Sequence, residues 1–136
     1  MLETLPVLVP IDAVDANDVE RLLDIAFGPE RHGRTAYRLR EGMAADRDLS
    51  LAALDADGRL IGSLQSWPMQ LTMPRGGVVP LVLVGPVAVD PMHQRRGLGR
   101  EMMVRMLATA DAMDAAPQVL IGDPEYYDPF GFTADA

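Results

Sequence analysis

The chain has 136 residues, 49% of them hydrophobic and 24% charged, which are the values of one globular domain and not of a disordered tail. It contains no cysteine, which excludes a disulfide scaffold, a thiolate metal site and a cysteine nucleophile. Its 12 basic residues, all arginine, against 20 acidic ones give a net charge of −8, so the chain is a poor general ligand for nucleic acid, whose binding rests on phosphate neutralisation.

In chain order, Leu5 to Ile11 is a short apolar run with Pro6 and Pro10, an edge strand because proline cannot donate to a ladder. Asp15 reads as an N-cap with Asp18 in the first turn. Val19, Leu22, Leu23, Ala26 and Phe27 then follow helical spacing until Gly28-Pro29 stops the helix. Arg34 to Glu41 reads as a second helix with a thin apolar face, ended by Gly42. Leu49 to Leu54 and Leu60 to Leu71 are strand-like, and Asp57-Gly58 between them is a hairpin signal. Trp67, in the second of these strands and just before Pro68, reads either as core or as the lining of a pocket. After a turn at Pro74 to Gly77, Val78 to Val89 is the most apolar run of the chain and reads as a strand buried on both faces. A helix follows over Leu98 to Met113, with Leu98, Met102, Met106 and Ala110 in one stripe. Pro117 to Ile121 is a last short strand, and Tyr126, Tyr127, Phe130 and Phe132 form an aromatic tail. Hairpins followed by strand, helix and strand predict an α/β (α+β) fold, a mixed central sheet flanked by helices, over the single domain 1–136.

The informative stretch runs from Val87 to Arg100. A buried strand enters a turn whose glycines, Gly97 and Gly99, sit where a helix begins. Helix N-termini present unpaired amides and the positive end of the dipole, and glycine lets an anion approach without a Cβ in the way. Arg95, Arg96 and Arg100 add a local positive patch to a negative protein, which points to a small anionic ligand. The blander reading of these arginines, and of Arg105, is a solvated helix face. His93 reads as an exposed loop residue, and His32 has no neighbours that suggest chemistry. The phosphate loop of P-loop NTPases is excluded because it needs a Gly-Lys-Ser/Thr ending and the chain has no lysine, and the dinucleotide fingerprint fails because position 102 is Met102. Gln94-x-x-Gly97-x-Gly99 remains, preceded by Val87-Ala88-Val89-Asp90-Pro91.

In this segment the chain resembles the GNAT superfamily of acyl-CoA-dependent N-acetyltransferases, whose hallmark is Arg/Gln-x-x-Gly-x-Gly/Ala between a strand and a helix. The Tyr-Tyr-Asp-Pro-Phe-Gly-Phe run from Tyr126 to Phe132 agrees, with Tyr127 four residues before Gly131. The resemblance spans 49–132 and implies a GNAT fold, here with a shortened C-terminus. It implies that coenzyme A is held by Val87, Ala88 and Val89 of the strand and by Gln94, Arg95, Arg96, Gly97, Leu98, Gly99 and Arg100 of the turn and helix start. Gly85-Pro86 interrupts the strand where, in that fold, the sheet splays around the pantetheine arm.

The implied reaction is transfer of an acetyl group from acetyl-CoA to a primary amine, without a metal. Tyr127 is the expected general acid, with Tyr126 beside it as the competing choice. No carboxylate lies within Val78 to Val89, so the base is not identified and a water relay is as good a candidate. The alternatives are an acyl-CoA-binding or sensing domain without turnover and, more remotely, a domain for another diphosphate. With four residues after Phe132, a sheet edge would stay uncovered, which predicts a homodimer. No apolar run has the length of a membrane span, and 1–9 lack the basic start of a signal peptide, so the expected location is the cytoplasm.

Overall fold

The structure, a computed structural model, describes residues 6–28, 30 and 43–120. The expected second helix over 34–41 and the aromatic tail with Tyr126 and Tyr127 lie outside them.

Strand β1 (Val7–Pro10) leads through a short 3-10 turn, Ile11–Ala13, into helix α1 (Ala16–Phe27). The Asp15 carboxylate accepts from the Asn17 amide at 2.8 Å, so the expected N-cap is formed. Gly28 closes the helix by donating its N–H to the Asp24 carbonyl at 2.9 Å. Strands β2 (Leu51–Leu54), β3 (Leu60–Thr72) and β4 (Val78–Val89) follow as a meander, and helix α2 (Leu98–Met113) crosses over to β5 (Gln118–Leu120). The sheet order is β1-β2-β3-β4-β5, antiparallel except for the β4–β5 pair. This is the mixed sheet with one crossover helix that the sequence predicts, with β1 at an edge.

The helices cover opposite faces. Leu22 and Leu23 of α1 pack with Val19 on Ala88 of β4. On the other face Leu98, Met102, Met103, Met106 and Ala110 of α2 pack on Leu49, Ala53, Leu64, Val82 and Val84. Two details bring α2 close to the sheet. The β2–β3 register shifts by one residue between Ala53 and Leu54, which puts both Ile61 and Gly62 against α2. A Cβ on Gly62 would meet Leu98 Cδ2 at 3.0 Å and Met102 Cε at 3.1 Å, so the missing side chain is the space those two residues fill.

Strand β4 is not buried along its whole length: Val78, Val79 and Pro80 are exposed. A 13-residue strand such as β3 is roughly 43 Å long, whereas the 16-residue α2 spans about 24 Å. The far end of the β3–β4 hairpin therefore projects beyond both helices.

The β2–β3 turn is tied by Asp55, whose carboxylate accepts from the amides of Asp57 and Arg59 at 2.9 Å each. Chiefly the Arg59 amide, with smaller help from Asp57 and from the charges of Arg59 and His93, holds the Asp55 carboxyl below its ordinary value of 3.8.

Two outcomes are expected. Met102→Ala empties a fully buried site and should cost about 2–5 kcal/mol in urea unfolding. Because the folded pKa of Asp55 is lowered, its contribution is present above its ordinary value and is lost as pH falls through the folded one. Asp55→Ala should therefore unfold at a lower temperature than the parent at neutral pH, with the difference closing below about pH 4.

Candidate functional site

Strand β4 carries one residue more than β3 beside it. Ser66 stands opposite Val84 but Leu64 stands opposite Val87, so Gly85 and Pro86 together face Gln65. Gly85 has φ 127° and its peptide bond to Pro86 is cis. The expected interruption of the strand is thus a β-bulge.

The bulge reverses which residues address the neighbouring strand. Before it, Val82 donates its N–H to Pro117 at 2.8 Å, so Val82 and Val84 present their main chain to β5. After it, Asp90 donates to the Ile61 carbonyl at 2.9 Å, so Ala88 and Asp90 present theirs to β3. The N–H and C=O groups of Val87 and Val89 consequently point away from β3. Among the described residues the pairing of β4 with β5 ends at Val84, and no strand pairs with that outer edge. The side chains of Val87 and Val89 pack toward α2, and Ala88 is buried beneath α1.

Beyond Val89 the chain forms a 3-10 turn, Pro91–Arg96, before α2. Asp90 caps it: its carboxylate accepts from the Met92 amide at 3.0 Å, and its carbonyl accepts from His93 at 2.8 Å. Gly97 joins the turn to the helix in the left-handed region, φ 67° and ψ 24°, where an L side chain is disfavoured. A Cβ there would meet nothing within 4 Å, so the glycine opens on free space. Its carbonyl takes the first helical bond, from Glu101 at 3.0 Å, and no side chain caps the helix. The amides of Leu98, Gly99 and Arg100 therefore have no carbonyl of α2 to bond. Together with the dipole they give this turn the electrostatics that suit an anion, at a position set by Leu98, buried in the core.

The sequence-predicted residues fall into three groups. Val87, Ala88, Val89, Gly97, Leu98, Gly99 and Arg100 lie on one continuous path from the bulge to the first turn of α2, with Arg100 exposed. Gln94, Arg95 and Arg96 belong to the 3-10 turn between them, and their side chains, like Tyr127, lie outside the described residues. Arg105 is exposed further along α2. His93 is half-buried, not exposed: its Nδ1 is enclosed with no partner among the described residues, and the imidazole lies near enough to Asp55 across the hairpin turn to act on its carboxyl. That proximity joins segments 38 residues apart in the chain, which no local pattern reveals.

Two residues beside the bulge carry more than the sequence disclosed. Trp67, 8% exposed, donates its indole N–H to the Gly85 carbonyl at 2.6 Å. Gln65, which no motif singled out, has a buried Oε1 without a partner directly opposite the bulge. Its signal was only that of a polar residue within an apolar strand. A groove of about 630 Å3, lined among others by Leu49, Pro68, Val82 and Met113, lies at the far end of α2 and contains none of the predicted site residues. Among the described residues no group of three or more His, Cys, Asp or Glu could hold a metal ion, and no helix is long and apolar enough to cross a membrane.

Comparison with known proteins identifies the family. Residues 9–134 match the family described as "Acetyltransferase (GNAT) domain". An uncharacterized N-acetyltransferase of Escherichia coli K12, YhbS, is 29% identical over 119 residues, which are 88% of this chain and 68% of that protein. The crystal structure of E. coli YhbS in complex with CoA superposes with a TM-score of 0.77 at 27% identity, covering 98% of this chain and 72% of that one. A GNAT family acetyltransferase from Brucella melitensis, in complex with acetyl-CoA, gives a TM-score of 0.72 at 26% identity over 95% of this chain and 83% of that one.

Gly97→Ala should fold, because the Cβ enters open space, but lose about 1–2 kcal/mol of stability from the left-handed backbone, measurable by thermal unfolding.

Proposed function

The chain belongs to the GNAT acetyltransferase family and is an acyltransferase, and we propose that it transfers an acetyl group from acetyl-CoA to a primary amine of a small molecule or peptide. The observation that carries this reading is the continuity of the outward main chain of Val87 and Val89 with the uncapped start of α2. The open space at Gly97, which a Cβ would enter, leaves room for a pyrophosphate, with the amides of Leu98, Gly99 and Arg100 as donors. Gln94, Arg95, Arg96 and Arg100 supply the surrounding polar and positive groups. The pantetheine arm then lies along the outer edge of β4, bonded to Val87 and Val89 and passing Ala88.

The chemistry required of the protein is modest. An alkylamine with a pKa of about 10 is neutral in about one molecule per thousand at pH 7, so a proton must leave the nitrogen before it attacks. Strand β4 carries no carboxylate, which favours water as the carrier of that proton. As the C–N bond forms and the C–S bond breaks, the Val87 N–H stabilises the charge that gathers on the carbonyl oxygen. The departing thiolate, whose thiol ordinarily has a pKa of about 8.5, takes its proton from Tyr127, since a phenol keeps its proton at neutral pH and can act as a general acid. The acidity of the protein favours a cationic acceptor. In the same reading the enzyme works in the cytoplasm as a homodimer. The apolar end of the β3–β4 hairpin, with Leu71 50% and Val78 52% exposed, supports the dimer.

Calorimetric titration with acetyl-CoA and, separately, with ATP tests the cosubstrate. Acetyl-CoA should saturate one site, ATP should give no heat, and Gly97→Glu should weaken acetyl-CoA by more than about 100-fold, since it sets a negative charge against the pyrophosphate. A folded wild type that binds no acetyl-CoA overturns the proposal. Tyr127→Phe should lower amine-dependent kcat by about 10²–10⁴-fold at unchanged acetyl-CoA affinity, and an unchanged kcat removes the tyrosine from the mechanism.

A further inference from the structure

We propose that the β3–β4 hairpin forms the homodimer interface: its projecting end, 70–80, enters the groove beside Met113 of a second copy, with Arg75 of each chain against Asp46 of the other. The inference rests on the homodimer of the reading above. It goes beyond that reading by naming the surface, its occupant and the charges that fix how the two copies align.

The hairpin end is built to be covered. All of 70–80 is exposed, including Leu71 at 50%, Met73 at 41%, Val78 at 52% and Val79 at 38%. Val78 and Pro80 alternate with Val82, which packs under α2, whereas Leu71 stands opposite Val79 on the other face. Both faces therefore carry apolar side chains; a flat contact would cover one of them, and a groove encloses both. Strand addition is a poor alternative. Val82 presents its main chain away from β3, so Pro80 and Val78 do too, and across the pair Pro68, Gln70 and Thr72 present theirs away from β4. A proline thus interrupts each outer edge where an added strand would need an N–H.

Charge selects a second copy as the occupant. The chain carries 20 acidic residues, yet none lies in 60–89, where Arg75 is the single charged residue. Two copies of a protein with net charge −8 repel through most of their surface but can meet through this hairpin. The groove of about 630 Å3 lies at the root of the same hairpin, lined by Leu49, Pro68, Val82, Met113 and Ala116, and Asp46 is the charged residue of its lining. Arg75 has no ion pair among the described residues, and Asp46 has no cationic partner there; one Asp46 carboxylate oxygen accepts from the Asp48 amide at 2.9 Å. The turn at Arg75 lies about five residues beyond Gln70, roughly 16 Å along the strand. Two hairpins laid head to tail about a two-fold axis therefore set each turn at the root of the other, and the contact closes on itself. The eleven exposed residues offer on the order of the 800 Å2 that a stable dimer takes from each partner.

Sedimentation equilibrium of wild type, Arg75→Asp and Asp46→Arg tests the interface. Wild type should be a dimer. Each variant alone should raise the dimer Kd about 100-fold, because both copies of the pair become like-charged. An equimolar mixture of the two variants should dimerise about as tightly as wild type, since each cross-chain pair is again of opposite charge. A role within one chain could not be rescued in this way. If Asp46→Arg does not fold, Arg75→Gln and Asp46→Asn replace the pair: each should lose about 10-fold, and the double variant no more than either. Val78→Asp should weaken the dimer as well. A dimer indifferent to these substitutions overturns the inference and leaves the homodimer standing. Weakened variants that do not rescue one another, or a neutral double variant whose losses add, overturn it too. A wild type that stays monomeric at about 100 μM overturns both the inference and the homodimer.

Discussion

Two residues of β4 stand opposite one residue of β3, and the aim of the main chain at Val87 and Val89 depends on that mismatch. Up to Val84 the strand offers its main chain to β5; beyond Pro86 the alternation is inverted, and Val87 and Val89 offer theirs outward. The same inversion sends Asp90 back toward β3, where it bonds to Ile61. That bond fixes where the strand ends and where the 3-10 turn begins. A single inserted residue thus sets both the direction of the amides along the edge and the starting point of the turn that leads to the helix.

The turn then solves an electrostatic problem. The protein carries a net charge of −8, yet the start of α2 keeps amides with no carbonyl of the helix to bond. Asp90, the carboxylate nearest in sequence before the turn, is engaged with the Met92 amide and so serves as the cap of its own turn. Gly97 brings the chain into the helix without a side chain of its own over the first amides, and among the described residues no side chain caps them. Rigidity comes from below: Leu98 is buried against the space left by Gly62, one strand away. A turn of mobile backbone would have to order itself on binding; this one is anchored from below by Leu98.

The two helices divide the sheet by length. They are shorter than the β3–β4 hairpin, so they cover the half that contains the bulge and leave Leu71, Val78 and Val79 exposed at the other end. The groove near Met113 and Pro68 lies toward that uncovered half, about 24 Å of helix away from Gly97.

What could be read from the sequence was local. The Asp15 cap, the turn at Asp57-Gly58, the stripe from Leu98 to Ala110 and the glycines at the start of α2 each follow from backbone propensity or helical period over a few residues. Gly85-Pro86 announced an interruption in β4 for the same reason. The direction of the interruption was not legible, because a bulge is a relation between two strands, and its outcome depends on which residue of β3 absorbs the mismatch. Nor could apolarity alone show that Val78 to Pro80 are exposed, since burial depends on how far a helix from elsewhere in the chain extends. The Trp67 bond to Gly85, the approach of His93 to Asp55 and the fit of Leu98 over Gly62 join residues 18 to 38 positions apart. The sequence by itself determined the described strands, the two helices and the glycine at the start of α2; only the tertiary structure decided the aim of the main chain at Val87 and Val89, because that aim is set by pairing across strands and not by any residue's own preference.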